Sequence, residues 1–162
     1  MTRLLIELKT RARLQLNTAR RAEPASDLRL RHCLNQVARD VGFANWEHGS
    51  RVLGGQAVHG DDMGTFWHAP RCNSLLNLWF ADHARAQAAL AAERNMFLLP
   101  YRRQFIVASD DFIVALGLDP GEAAWSDAQR DLVGAYGTAA WLALGFQRLK
   151  APRSTFAVSG SP

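Results

Sequence analysis

Between Leu28 and Leu53 (LRLRHCLNQVARDVGFANWEHGSRVL), Leu30, Cys33, Leu34, Val37, Ala38 and Val41 recur at the three- and four-residue spacing of one helical face. Gly42 stands just past the last of them, where a residue without a Cβ can turn left-handed and close a helix. Phe43 supplies the apolar contact of a Schellman end. Asn45 is placed to cap a short third helix through Trp46, Val52 and Leu53, which Gly54 and Gly55 end. Upstream, Leu5, Leu8, Ala12, Leu16 and Ala19 predict an amphipathic helix from Thr2 to about Arg21. Pro24 stops it, and Ser26 or Asp27 is available to cap the second helix.

Beyond Leu53 the pattern changes. Residues 54–64, GGQAVHGDDMG, hold four glycines and little apolar content, as expected of a flexible connection or a functional loop. The short bulky run Leu75–Ala81 (LLNLWFA) predicts a strand, and Asp82 can cap the alanine-rich helix that follows. MFLLPYRRQFIVA reads as extended, with Pro100 breaking or edging the strand, so the expected order is strand, helix, strand. Ser109, Asp110 and Asp111 mark a helix start that Gly117 and Pro120 close. Ser126 and Gln129 fit a capping box opening a long final helix to about Leu149, its glycines suited to close packing or an oligomer contact. APRSTFAVSGSP, residues 151–162, reads as a frayed tail. The expected fold is α+β, with a basic three-helix unit in residues 1–55 packed on a strand–helix–strand unit in residues 65–150 around one core.

Composition supports folding: 48% of the 162 residues are hydrophobic, including five Trp and eight Phe, far from the signature of disorder. The net charge of +4 is unevenly placed. Residues 1–40 carry nine basic and four acidic side chains, a surplus of five that suits a surface for nucleic acid, an acidic protein or an anionic membrane, and reads equally as a solvated helix face. The start MTRLLIELKTRAR lacks the apolar run of a signal peptide, and Leu132–Phe146 is interrupted by glycines and too short to span a bilayer. A cytoplasmic protein without a membrane partner is expected. Cys33 and Cys72 form no CxxC pair, which removes zinc-ribbon and thioredoxin-type chemistry.

His32, Val37, Ala38, Gly42, Phe43, Asn45 and Trp46 resemble the short helical segment found next to glyoxalase-superfamily domains and in uncharacterised bacterial proteins, with Arg31 standing where that pattern leads with Ser. The resemblance implies a helical module and carries no catalytic residue across. Val37, Ala38, Val41, Gly42 and Phe43 also resemble half of an AraC-type helix-turn-helix. That likeness implies a reading helix offering Asn45, Glu47, His48 and Arg51 to base edges, beside Arg29 and Arg31 for partner or phosphate contact.

His59, Asp61, Asp62 and His68 bring metal-ligand types into one glycine-rich stretch, but at no established spacing, and the same residues read equally as a solvated turn. Cys72 with His68 or His83 offers a weaker nucleophile–base reading. Tyr101, Arg102 and Arg103 make a small cluster suited to phosphate or carboxylate. No Walker A, G-x-G-x-x-G or G-x-S-x-G occurs. The leading expectation is a non-enzymatic module binding nucleic acid or an acidic protein, with no cofactor. Its alternatives are a small hydrolase or lyase using a divalent transition metal at His59, Asp61, Asp62 and His68, and a structural subunit self-associating through the final helix.

Overall fold

The computed structural model describes residues 1–157 as an α+β fold: seven α-helices and a three-stranded antiparallel sheet among these residues. Helix α1 (Arg3–Ala22) is capped by the Thr2 hydroxyl and buries Leu4, Leu8, Ala12 and Leu16, so its inner face is rotated to take Leu4 rather than Leu5. Helix α2 (Leu30–Asp40) starts at Arg29, not at Ser26 or Asp27. The Arg29 N–H donates to His32 Nδ1 at 3.0 Å, while the Ser26 hydroxyl accepts from Leu28 in the preceding turn. Arg11, Leu14 and Gln15 share a hollow with Val37, Asp40 and Val41, which makes α1 and α2 an antiparallel hairpin.

The turn after α2 forms as its residues dictate. Gly42 adopts φ +102°, the Phe43 N–H reaches Ala38 O at 3.0 Å, and the Gly42 N–H reaches Arg39 O at 3.1 Å. These are the two bonds of a Schellman end. Helix α3 (Trp46–Leu53) then begins at Asn45, whose side chain accepts from the His48 N–H, and ends at Gly54.

Strand β1 (Asn77–Phe80) and helix α4 (His83–Ala92, capped by Asp82) lie where the sequence places them. The extended run after α4 is two strands, β2 (Phe97–Tyr101) and β3 (Gln104–Ala108), in a hairpin turned by Arg102 and Arg103. Strand order is β1-β3-β2, so Pro100 sits on an outer strand. Helix α5 (Asp110–Ala115) follows.

The single long final helix is not formed. A short helix α6 (Ala123–Asp127) contains Ser126 in its interior, residues 128–138 are irregular, and α7 (Ala139–Lys150) starts afresh at a Thr138 cap. Gln129 and Arg130 take φ of 54° and 56°, and Asp131 captures the N–H groups of Val133 and Gly134, which a helix would have used otherwise. Gly145 packs inside the chain: a Cβ there would stand 3.1 Å from Leu4.

One buried cluster runs from α1, α2 and α3 through Phe66, Trp67, the sheet and α5 to Trp141 and Phe156. Leu98, Val107 and Ala86 form a second cluster under α4. Residues 151–157 are not a frayed end, since Arg153–Thr155 make a 3-10 turn and Phe156 is buried; the remainder of the expected tail, 158–162, lies outside the described residues. Among the described residues no helix is long and apolar enough to cross a membrane.

Candidate functional site

Part of the basic surplus of the front end stands at the tip of the α1–α2 hairpin. No residue from Asn17 to His32 is buried, so the end of α1 and the start of α2 project from the core. Arg20, Arg21, Arg29 and Arg31 are exposed there beside Glu23 and Asp27, and Arg13 is exposed further back along α1. The Arg and Lys ion pairs found in the described residues lie elsewhere. Glu7 joins Arg11 and Lys150, Arg51 joins Asp61, and Arg153 joins Asp40.

The proposed reading helix is used differently. Asn45 Oδ1 accepts from the His48 N–H at 2.9 Å, so it serves as a helix cap. His48 is fixed at both ring nitrogens: Nδ1 accepts from Ala44 N–H at 3.1 Å, and Nε2 lies 2.7 Å from the Asp62 carbonyl, which only accepts. Nε2 therefore carries the proton. Arg51 places Nε and Nη2 at 3.0 and 2.8 Å from Asp61 Oδ2. Glu47 alone of the four is exposed without a bond of this kind.

The loop residues divide in the same way. Asp61 also accepts from the Val58 N–H. That bond and Arg51 hold its carboxyl below the usual range. Asp62 Oδ1 accepts from Gly64 N–H at 2.8 Å, and His59 is exposed. His68 is buried and meets the edges of Tyr101 and Phe112, with ring centroids 4.9 and 5.8 Å away. Burial, helped by the charge of Arg148, lowers its pKa. The structure does not bring His59, Asp61, Asp62 and His68 together, and no group of three or more His, Cys, Asp or Glu side chains among the described residues converges as metal ligands would. Cys72 is fully buried, and burial pushes its thiol up despite a backbone hydrogen bond and Arg148, the wrong direction for a nucleophile.

His59 and Asp61 do meet another sequence-flagged cluster. With Arg102 and Arg103 of the β2–β3 turn they line a cleft of about 190 Å³ floored by Met63, Pro100 and Phe105. His83, Val133 and Tyr136 complete its wall. Asp131, buried behind His83, was invisible in the sequence because an expected helix covered it; the Asp131-x-x-Gly134 spacing and Gly137 were the available signals.

Arg148 is the most enclosed charge. Its five N–H groups reach Phe66 O, Leu116 O, His68 O, Thr155 O and Thr155 Oγ1 at 2.7 to 3.1 Å, and its guanidinium lies 3.7 Å from the Phe156 ring centre. Burial pushes its pKa down to about 9, with Cys72 acting the other way, and it stays charged at neutral pH. This is a staple binding the 66–68 segment, α5 and the C-terminal turn, rather than an exposed anion site. No family model, curated protein or solved structure matches the chain.

Proposed function

We propose that the chain is a non-enzymatic module that binds a polyanion, nucleic acid first, through the projecting tip of its α1–α2 hairpin. The observation that carries this reading is the set of four exposed guanidiniums at Arg20, Arg21, Arg29 and Arg31, on a stretch of chain with no buried residue. Exposed carboxylates at Glu23 and Asp27 leave a local surplus of positive charge. Guanidinium suits phosphate through paired, fork-like hydrogen bonds. Asn45, His48 and Arg51 are committed to capping and loop anchoring, so recognition in this reading is of backbone phosphates rather than of bases.

The experiment is a fluorescence anisotropy titration of labelled duplex and single-stranded DNA and RNA with the wild-type chain and with Arg20→Glu/Arg29→Glu/Arg31→Glu. A matched control reverses Arg71, Arg85 and Arg94, which lie on the other side of residue 55. Loss of binding in the hairpin variant and its retention in the control support the tip. Equal loss in both would mean that net charge, not this surface, attracts the ligand. Binding of poly-glutamate in place of every nucleic acid would move the partner to acidic proteins.

A further inference from the structure

The cleft between the 57–63 loop and the β2–β3 turn contains a second constellation, independent of the hairpin tip. Asp131 is 7% exposed and fixed from several sides. Its Oδ1 accepts from the N–H groups of Val133 and Gly134 at 3.0 and 2.9 Å, and its Oδ2 accepts from Gln87 Nε2 at 3.0 Å. His83 Nε2 lies 3.2 Å from Oδ2 and 3.4 Å from Oδ1. A carboxylate only accepts, so the proton between the two side chains sits on His83 Nε2, and Nδ1 is the nitrogen that this tautomer leaves with a lone pair. Gly134 is required for this arrangement, because a Cβ there would stand 2.7 Å from Asp131 Oδ2.

His83 lines the cleft, stacks obliquely on Phe105 at 5.5 Å, and exposes only 19% of its side chain. No intrachain hydrogen bond to Nδ1 occurs among the described residues, whereas both nitrogens of His48 are occupied. The cleft's other ionisable groups give it a positive sign. Asp61 is neutralised by Arg51, Arg103 spends Nη1 on Gly60 O at 2.7 Å and retains its other donors, and Arg102 and His59 are exposed. Tyr136 is occupied, accepting from the Ala57 N–H at 3.1 Å and donating to the Val52 carbonyl at 2.5 Å, so it fixes the loop as a wall of the cleft.

We infer that this cleft binds a small organic oxyanion, its carboxylate or phosphate held by Arg102 and Arg103 and a hydroxyl or amide N–H of the same molecule donated to His83 Nδ1. The volume of about 190 Å³ suits a compact metabolite rather than a chain of nucleotides or a peptide. Asp131 is the positioning residue, since it selects the tautomer that leaves Nδ1 free.

The test is long-range proton–nitrogen NMR of the histidine rings in the full chain, with inorganic phosphate, glycolate, lactate and glycerol 3-phosphate added in turn. The result expected is an Nε2–H tautomer for His83 in the free protein, and saturable shifts of its Nδ1 for at least one hydroxylated anion. Inorganic phosphate alone, lacking the hydroxyl-bearing arm, is expected to bind more weakly. Arg102→Gln/Arg103→Gln should abolish the saturable shift while leaving the tautomer unchanged, and Asp131→Asn should change the tautomer. An Nδ1–H tautomer for His83, no saturable shift with any of the four, or a shift that survives loss of both arginines would overturn the inference. Because the hairpin tip is untouched in these variants, their failure is distinct from failure of polyanion binding.

Discussion

Arg148 is a cation enclosed without an anion. Its stability comes from five neutral acceptors and the face of Phe156, and every one of its donors is used. Arg148→Met would leave the buried carbonyls of Phe66, Leu116 and His68 without this donor, each such loss being worth about 1–3 kcal/mol, partly offset by removal of the charge. The expected loss is about 3 kcal/mol or more, read from the urea midpoint. Arg148→Lys should recover only part of it, because three donors cannot replace five. At Gly42, φ is +102° and a Cβ would stand 2.8 Å from the backbone of Thr65 and Phe66. Gly42→Ala should therefore cost about 2–4 kcal/mol from left-handed strain and overpacking together. His68 gives the stability a pH dependence. Its folded pKa lies below the ordinary 6.5, so as the pH falls from 6.5 the unfolded chain takes up a proton that the folded chain refuses. The His68 contribution is complete above pH 6.5 and is lost as the pH falls through the lowered value. The stability difference between wild type and His68→Phe should be flat above pH 7 and shrink on acidification; a difference independent of pH would contradict it.

At the scale of elements, side-chain caps and turn residues govern where the pattern could be followed. The α2–Gly42–α3 unit was legible because three signals coincide: an apolar stripe, a glycine needed at positive φ, and an Asn placed to cap. Asn45→Ala should cost about 1 kcal/mol in unfolding free energy through loss of the cap, with nucleic-acid affinity unchanged. A fall in affinity with stability preserved would return Asn45 to base reading. The β2–β3 hairpin was not legible, since its turn is Arg102–Arg103 and lacks the Gly or Asn that usually marks one, while Arg102 takes φ 52° under the demand of the flanking pairing. The final helix failed for a related reason. Gln129 and Arg130 are good helix formers by propensity, and only the tertiary role of Asp131, with its bonds to Val133, Gly134, Gln87 and His83, makes them turn. Candidate chemistry followed the same rule: the 59–62 loop and the Arg102–Arg103 cluster were recognisable as residue types, but their meeting at one cleft, with His83 and Tyr136, exists only in the fold.

Across the whole molecule, one core spans the helical front end and the sheet, tied by Arg148, by Glu7 between Arg11 and Lys150, and by Arg11 donating to Leu149 O at 2.8 Å. Burial pulls Glu7 upward, but the hydrogen bonds and charges of Arg11 and Lys150 outweigh it and hold its carboxyl below the usual range. Glu7 is thus matched, and the exposed guanidiniums of Arg20, Arg21, Arg29 and Arg31 stand at the hairpin tip, on a stretch with no buried residue. This separation is why charge reversal at the tip should leave the unfolding midpoint nearly unchanged. The measurement that bears most directly on polyanion binding by the hairpin tip is the salt dependence of DNA affinity. If the tip binds phosphates, log K falls linearly with log salt for the wild-type chain, with a slope shallower by about 0.9 for each duplex phosphate contact removed at Arg20, Arg29 or Arg31. Absence of DNA binding at low salt, or a slope that those three reversals leave unchanged, would contradict it.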